Sequence, residues 1–248
     1  VYAGFDPTAD GLHLGSMSIL AVLKDMADAG HHICAVVGTG TGKIGDPTGK
    51  SSARSFIEPE QLKKNVEGLK RDIHRVLPEA EIIENNWFSD ITIDEFMVEV
   101  MKHIPLTKLL GLSIVKDRLD SGNGISLMEA IYPVFQGWDM VMLSDRATAL
   151  GLDMVIQVGG QDQTGNMSMG LHLLNRVRED RKADMLSVPL ITTANGEKMG
   201  KSAGNALWLA PEKLDDVQFF DGILSIPDEI LEDSSNILTH NHVFVGDI

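Results

Sequence analysis

Four groups of residues in this chain have types and spacings that could do chemistry. Residues 6–16, DPTADGLHLGS, put Thr8, His13, Gly15 and Ser16 where an apolar stretch ends and a helical pattern begins. A helix start presents unpaired N–H groups and the positive end of the helix dipole, so it attracts anions. Threonine and histidine there add hydrogen bonds suited to a chain of phosphates, and glycine lets a nucleotide approach the backbone. The same residues fit an ordinary turn capped by Asp10 equally well. Residues 198–202, KMGKS, form a basic, glycine-bearing loop after a strand. Lys198 and Lys201 could neutralise a departing pyrophosphate, although any surface loop can carry two lysines. Residues 159–163, GGQDQ, stand at the C-terminal end of a strand, where open α/β sheets bind ligands. Tyr132, Gln136 and Asp139 fall at i, i+4 and i+7, one face of one helix in an apolar segment. Polar groups on a buried face need partners, which either a polar ligand or an internal network supplies.

The elements that must position these residues alternate along the chain. Residues 1–5 read as a strand, 17–29 as a helix ended by Gly30, and 31–37 as a buried strand feeding a glycine loop. That order marks a parallel sheet with crossover helices. From 51 to 123 amphipathic helices dominate, at 59–77 and 93–104, with an acidic strand candidate at 81–86. A second α/β stretch follows: helix 126–143, strand 152–158, helix 163–178, strand 186–192. The expected fold is therefore α/β, a Rossmann-like parallel sheet with helices on both faces, interrupted by a mostly helical insertion at about 51–125. Residues 1–210 would form the main domain, and 211–248 a short acidic, helical appendage.

Composition sets outer bounds. A chain of 248 residues with 43% hydrophobic and 23% charged residues can bury a core as one large unit. A net charge of −15 argues against a surface built mainly to grip nucleic-acid phosphates. Nine acidic residues against Lys213 after position 210 supply more than half of that excess. The single cysteine, Cys34, excludes an internal disulfide and a cysteine-based zinc site, suggests a reducing compartment, and reads as core. The remaining histidines show no ligand spacing, which predicts no metal site, and Trp87, Trp138 and Trp208 are too scattered for a base-stacking platform. No apolar run approaches membrane-spanning length. The chain opens inside a strand without methionine, which predicts a piece of something longer.

Two nucleotide motifs are decoys. Residues 40–45, GTGKIG, satisfy GxGxxG after a strand, but Asp46-Pro47 disfavours the helix that a dinucleotide fingerprint needs there. A phosphate loop ending at Gly49-Lys50-Ser51 would need glycine where Ile44 stands, and residues 196–202 are one residue short.

HLG followed by KMGKS, together with the stretches at 2–16, 38–50, 132–139, 155–166 and 195–202, resembles the class I aminoacyl-tRNA synthetases. Within them the likeness is to tyrosyl-tRNA synthetases, mostly of the bacterial or organellar kind, and it extends over essentially all of 1–210. The resemblance implies ATP-dependent activation of L-tyrosine and its transfer to tRNA-Tyr, with Mg²⁺ accompanying ATP. By that resemblance Tyr2 and Asp139 would bind the substrate phenol, and Tyr132, Gln136 and Asp46 its ammonium. Gln163 would contact the reacting carboxylate, and Gln157 would stand behind the amino-acid pocket. Gly160 and Asp162 would meet the ribose, with Gly15, Ser16, Met199 and Ser202 also lining the ATP site. Thr8, His13, Lys198 and Lys201 would bind the transferring phosphates. The resemblance further implies a homodimer through the helical insertion, no membrane, and a cytoplasmic or organellar-matrix location. Three departures stand out. Ser16 replaces the second histidine of the HLG signature, Gln161 and Thr164 replace a serine and a tryptophan near the ribose, and an acidic tail takes the place of an RNA-binding module. That last departure predicts weak tRNA binding by this chain alone. It also permits an enzyme adenylating a tyrosine-like acid outside translation, while Ser16 leaves open a non-catalytic scaffold.

Overall fold

The computed structural model describes residues 1–48, 57–122, 124–191, 206–224 and 226. One sheet contains β1 (Tyr2–Phe5), β2 (Cys34–Val37), β3 (Glu81–Glu84), β4 (Val155–Gly160) and β5 (Ala183–Val188). Their order is β3-β2-β1-β4-β5, and every pairing is parallel. The helices are α1 (Leu14–Asp28), α2 (Thr41–Ile44), α3 (Pro59–Val76), α4 (Ile93–Glu99), α5 (Leu106–Gly111), α6 (Ser113–Asp120), α7 (Leu127–Ala130), α8 (Tyr132–Ala149), α9 (Thr164–Val177) and α10 (Asp216–Leu224).

Alternation along the strands sorts the core into two layers. Ala3, Phe5, Ala35 and Val37 pack with Leu20 and Leu23 of α1 and with Val66, Leu69 and Ile73 of α3. Tyr2, Cys34 and Val36 pack on the other face with Val134, Met140 and Val141 of α8 and with Met169, Leu173 and Leu174 of α9. The sheet thus carries helices on both faces, as the alternating pattern predicted. Local signals set the boundaries. Pro59 opens α3, and Gly30 follows α1 at φ 89°, a backbone that side chains with a Cβ rarely adopt.

Several boundaries differ from the sequence reading. A single helical turn, α2, does form inside the glycine loop; Gly45 ends it at φ 80°, and the chain turns toward Asp46 rather than continuing as a long helix. The helix read at 126–143 breaks at Ile131, because Pro133 in the first turn of α8 has no N–H to continue the ladder from α7, and α8 then runs to Ala149. The stretch 93–104 splits into α4 and a 3-10 turn at Met101–His103. The last strand lies at 183–188 rather than 186–192, since its pairing ends where Gly160, the last residue of β4, meets Val188. Within the stretch expected as an insertion, β3 is itself the outer strand of the sheet, paired with β2, and α3 is the crossover between them. Between β3 and β4 the described residues form helices α4 to α8 and short 3-10 turns, with no strand.

Candidate active site

β1 is followed through α1 by β2 on one side, while β4 lies on its other side, so the chain order reverses between β1 and β4. Loops leaving the carboxyl ends of two such strands diverge and open a crevice. The structure shows that opening directly. Gly4, in the central strand, is exposed, and a Cβ there would meet nothing within 4 Å. Gly4 shares its face of the sheet with Tyr2, on the side of α8 and α9.

Around this space stands the set read as an amino-acid pocket. Tyr2 is buried, and its hydroxyl has no hydrogen-bond partner. Gln157, directly opposite Tyr2 in the β1–β4 pairing, is also buried, and its Oε1 is likewise unpartnered. Asp139 of α8 is buried and accepts from Asn85 Nδ2 at 3.2 Å and from Trp87 Nε1 at 3.1 Å. Burial pushes the Asp139 carboxyl well above the usual carboxylate range; the Asn85 and Trp87 donors oppose that, and the charge of Asp6 adds to it. Burial, then the neighbouring Asp139 charge, also raises the Tyr2 phenol, so it stays protonated as a donor.

A second polar group adjoins the first. Tyr132 donates from its hydroxyl to Asp6 Oδ2 at 2.8 Å, and Thr41 donates to Asp6 Oδ1 at 2.8 Å. Asn85 Nδ2 also reaches Thr41 Oγ1 at 3.1 Å, which joins this group to Asp139. Asp46 accepts from the Thr48 N–H and hydroxyl at 2.9 and 2.6 Å and from Gln163 Nε2 at 2.8 Å. Asn166 Nδ2 bridges Gln163 Oε1 at 3.0 Å and Gln136 Oε1 at 3.1 Å. Burial and the charges of Asp6, Asp46 and Asp139 together hold the Tyr132 phenol far above its ordinary value. Three carboxylates converging on one buried tyrosine form an environment that a ligand ammonium would neutralise.

Of the residues read as a nucleotide site, the described ones lie between β1 and the first turn of α1 and at the carboxyl end of β4. Thr8, His13, Gly15 and Ser16 sit on the turn into α1 and its first turn, with His13 rather than Asp10 at the cap position. His13 makes no side-chain capping bond, and Asp10 instead pairs with Lys213. Gly160 ends β4, where a Cβ would come 2.6 Å from Asp162 Oδ1 and would push that side chain aside. Lys198, Met199, Lys201 and Ser202 lie outside the described residues. Of the sequence-read set, Tyr2, Gln157 and Asp139 come together; Gln136, Gln163 and Asp46 are linked through Asn166, and Tyr132 is linked to Asp139 through Asp6, Thr41 and Asn85. Among the described residues no group of three or more His, Cys, Asp or Glu side chains could hold a metal, and no helix is long and apolar enough to cross a membrane.

Sequence reading missed six members of these networks: Asp6, Thr41, Thr48, Asn85, Trp87 and Asn166. Asp6 and Asn85 carried a usable signal, each a polar side chain just past the carboxyl end of a strand, the position where such sheets bind ligands. Trp87 and Trp208, too scattered in the sequence to stack bases, still take part: one donates to Asp139 and the other packs against His13.

A family model described as tRNA synthetases class I (W and Y) matches residues 1–246. The mitochondrial tyrosine–tRNA ligase of Drosophila melanogaster is 35% identical over 257 residues, covering 96% of this chain and 54% of that protein. The tyrosine–tRNA ligase of Rhodopirellula baltica is 37% identical over 235 residues, covering 92% of this chain and 52% of that protein. The chain therefore spans about half the length of the curated relatives it matches. The crystal structure of a C-terminally truncated mitochondrial tyrosyl-tRNA synthetase from Aspergillus nidulans superposes with a TM-score of 0.77 at 24% identity, covering 95% of this chain and 70% of that one, a likeness of fold.

Proposed function

This chain belongs to the class I tRNA synthetases of the tryptophan and tyrosine group, and on that premise we propose that it activates L-tyrosine with ATP and passes the tyrosyl group to tRNA-Tyr. One observation carries the choice of amino acid. The buried, unpartnered Tyr2 hydroxyl stands near the Asp139 carboxyl beside the open space at Gly4. A phenolic hydroxyl accepts from Tyr2 and donates to Asp139 at once, whereas an indole N–H can only donate and a phenyl ring does neither. Tyr132, Gln136 and Asp46 then receive the ammonium, and Gln163 orients the carboxylate. That carboxylate attacks the α-phosphate in line and pyrophosphate leaves. No side chain need act as nucleophile or base, because the attacking group is already ionised. Catalysis is positioning together with stabilisation of charge on the phosphates. Thr8 and His13 serve that end from the α1 side and Lys198 and Lys201 from the KMGKS loop, while Gly15, Ser16, Gly160, Asp162, Met199 and Ser202 line the nucleotide. Mg²⁺ enters with ATP as part of the substrate.

We take residues 1–210 as the catalytic unit, with 211–248 appended. The working assembly is a homodimer, a reading supported by apolar residues standing exposed on the helices between β3 and β4, Ile93 at 82%, Leu106 at 66% and Leu127 at 75%. The net charge of −15 supports weak tRNA binding by this chain alone. The unpaired buried Cys34 and the bacterial and mitochondrial relatives support a cytoplasmic or organellar-matrix location. Exchange of labelled pyrophosphate into ATP tests the first step. It should depend on tyrosine, with tryptophan and phenylalanine at least about 10⁴-fold poorer in kcat/KM. Comparable exchange with all three amino acids, or none with tyrosine, rejects the proposal.

A further inference from the structure

Residues 207–213, downstream of KMGKS in the chain, lie against the turn that carries His13. Leu14 N–H donates to the Leu207 carbonyl at 2.8 Å and Leu209 N–H to the Leu12 carbonyl at 2.9 Å, setting Trp208 opposite His13 as an isolated antiparallel bridge. The two rings meet edge to face, with centroids 6.1 Å apart and planes at 77°. Lys213 extends this contact: its Nζ lies 4.1 Å from the Trp208 ring centre and it pairs with Asp10. From the other side, α3 grips the same turn. Buried Asp72 accepts the Leu12 N–H at 2.8 Å, Asn65 donates to the Pro7 carbonyl at 2.8 Å, and Arg75 donates to the Leu209 carbonyl at 3.1 Å.

The backbone of the turn is therefore held from two sides, but those bonds leave the rotation of the His13 ring undecided. Torsion about the bond to an imidazole is broad, so a neighbour must select one orientation. Trp208 packs edge to face against it and restricts that rotation.

We propose that Trp208 is a positioning residue for His13, holding the imidazole where it donates to the ATP phosphates and so tying the segment after KMGKS to the HLG turn. This rests on the ATP site proposed above. A double-mutant cycle separates acting through His13 from merely supporting the fold. In pyrophosphate exchange, Trp208→Ala should lower kcat/KM for ATP by about 10-fold while the KM for tyrosine stays within about 2-fold. Trp208→Phe, which keeps a ring, should recover most of the loss. In a His13→Ala background, Trp208→Ala should cost less than about 2-fold. Equal losses in both backgrounds, a parallel rise in the KM for tyrosine, or no loss from His13→Ala itself overturns the proposal. A wild type without exchange defeats the proposed function instead, and the positioning is then judged by NMR. The His13 imidazole signal, assigned through His13→Ala, must shift in Trp208→Ala and return in Trp208→Phe; an unmoved signal overturns it.

Discussion

Tyr2→Phe should move stability and activity in opposite directions. Tyr2 is 3% exposed and its hydroxyl is buried without a partner. A buried polar group left unpaired costs about 1–3 kcal/mol, and phenylalanine removes only that oxygen from an otherwise filled site. Unfolding free energy should rise by about 1 kcal/mol, which for a chain of this size is a Tm increase of about 2–4 °C. If the hydroxyl is kept to meet a phenol, the same change removes one neutral hydrogen bond from the bound substrate. At about 1.4 kcal/mol that is a tenfold loss in kcat/KM for tyrosine. Phenylalanine never made that bond, so its kcat/KM should hold and the selectivity ratio should fall by the same factor. Thermal melts and pyrophosphate exchange on the two proteins measure both arms. A less stable variant would show that the hydroxyl has a structural partner, and an unchanged ratio of tyrosine to phenylalanine would show that Tyr2 does not face the phenol.

Gly4→Val puts a side chain into space where a Cβ meets nothing, so melts should match or exceed the wild type while tyrosine binding, measured calorimetrically, weakens at least about tenfold; retained binding would place the pocket elsewhere. Ser16→His in the first turn of α1 should improve the KM for ATP or the adenylation rate by about fivefold, the worth of one restored hydrogen bond near 1 kcal/mol, and no change would remove Ser16 from the nucleotide's surroundings. Asp139 is raised in the folded state by burial, so the native protein binds its proton more tightly than the unfolded chain. Its contribution is full below the ordinary carboxylate range near pH 4 and is lost as pH rises through the folded value. The unfolding free energy of wild type minus that of Asp139→Asn should therefore fall as pH rises above about 4, and a flat or rising difference in urea titrations refutes the assignment.

The fold class was legible because it rests on local periodicity. Apolar runs at 1–5, 31–37 and 152–158 alternate with helical spacing at 17–29, 59–77 and 163–178, and each run had to bury its own face whatever the rest of the chain did. Tyr132, Gln136 and Asp139 were likewise readable, since one helix turns all three to one side. What local spacing does not contain is who meets whom across the sheet. β3 reads as part of an insertion because amphipathic helices lie on both sides of its acidic EIIE; only its pairing with β2 makes it an outer strand and brings Asn85 and Trp87 at its end onto Asp139, more than fifty residues away. Asp6 looks like a turn residue until Tyr132 and Thr41 both donate to it. Trp208 has no sequence signal at all, because its partner lies some two hundred residues earlier. Side-chain period is a property of one element and is written in consecutive residues. The partners of a buried polar group are chosen by the packing of several elements, and that choice exists only once the sheet has assembled.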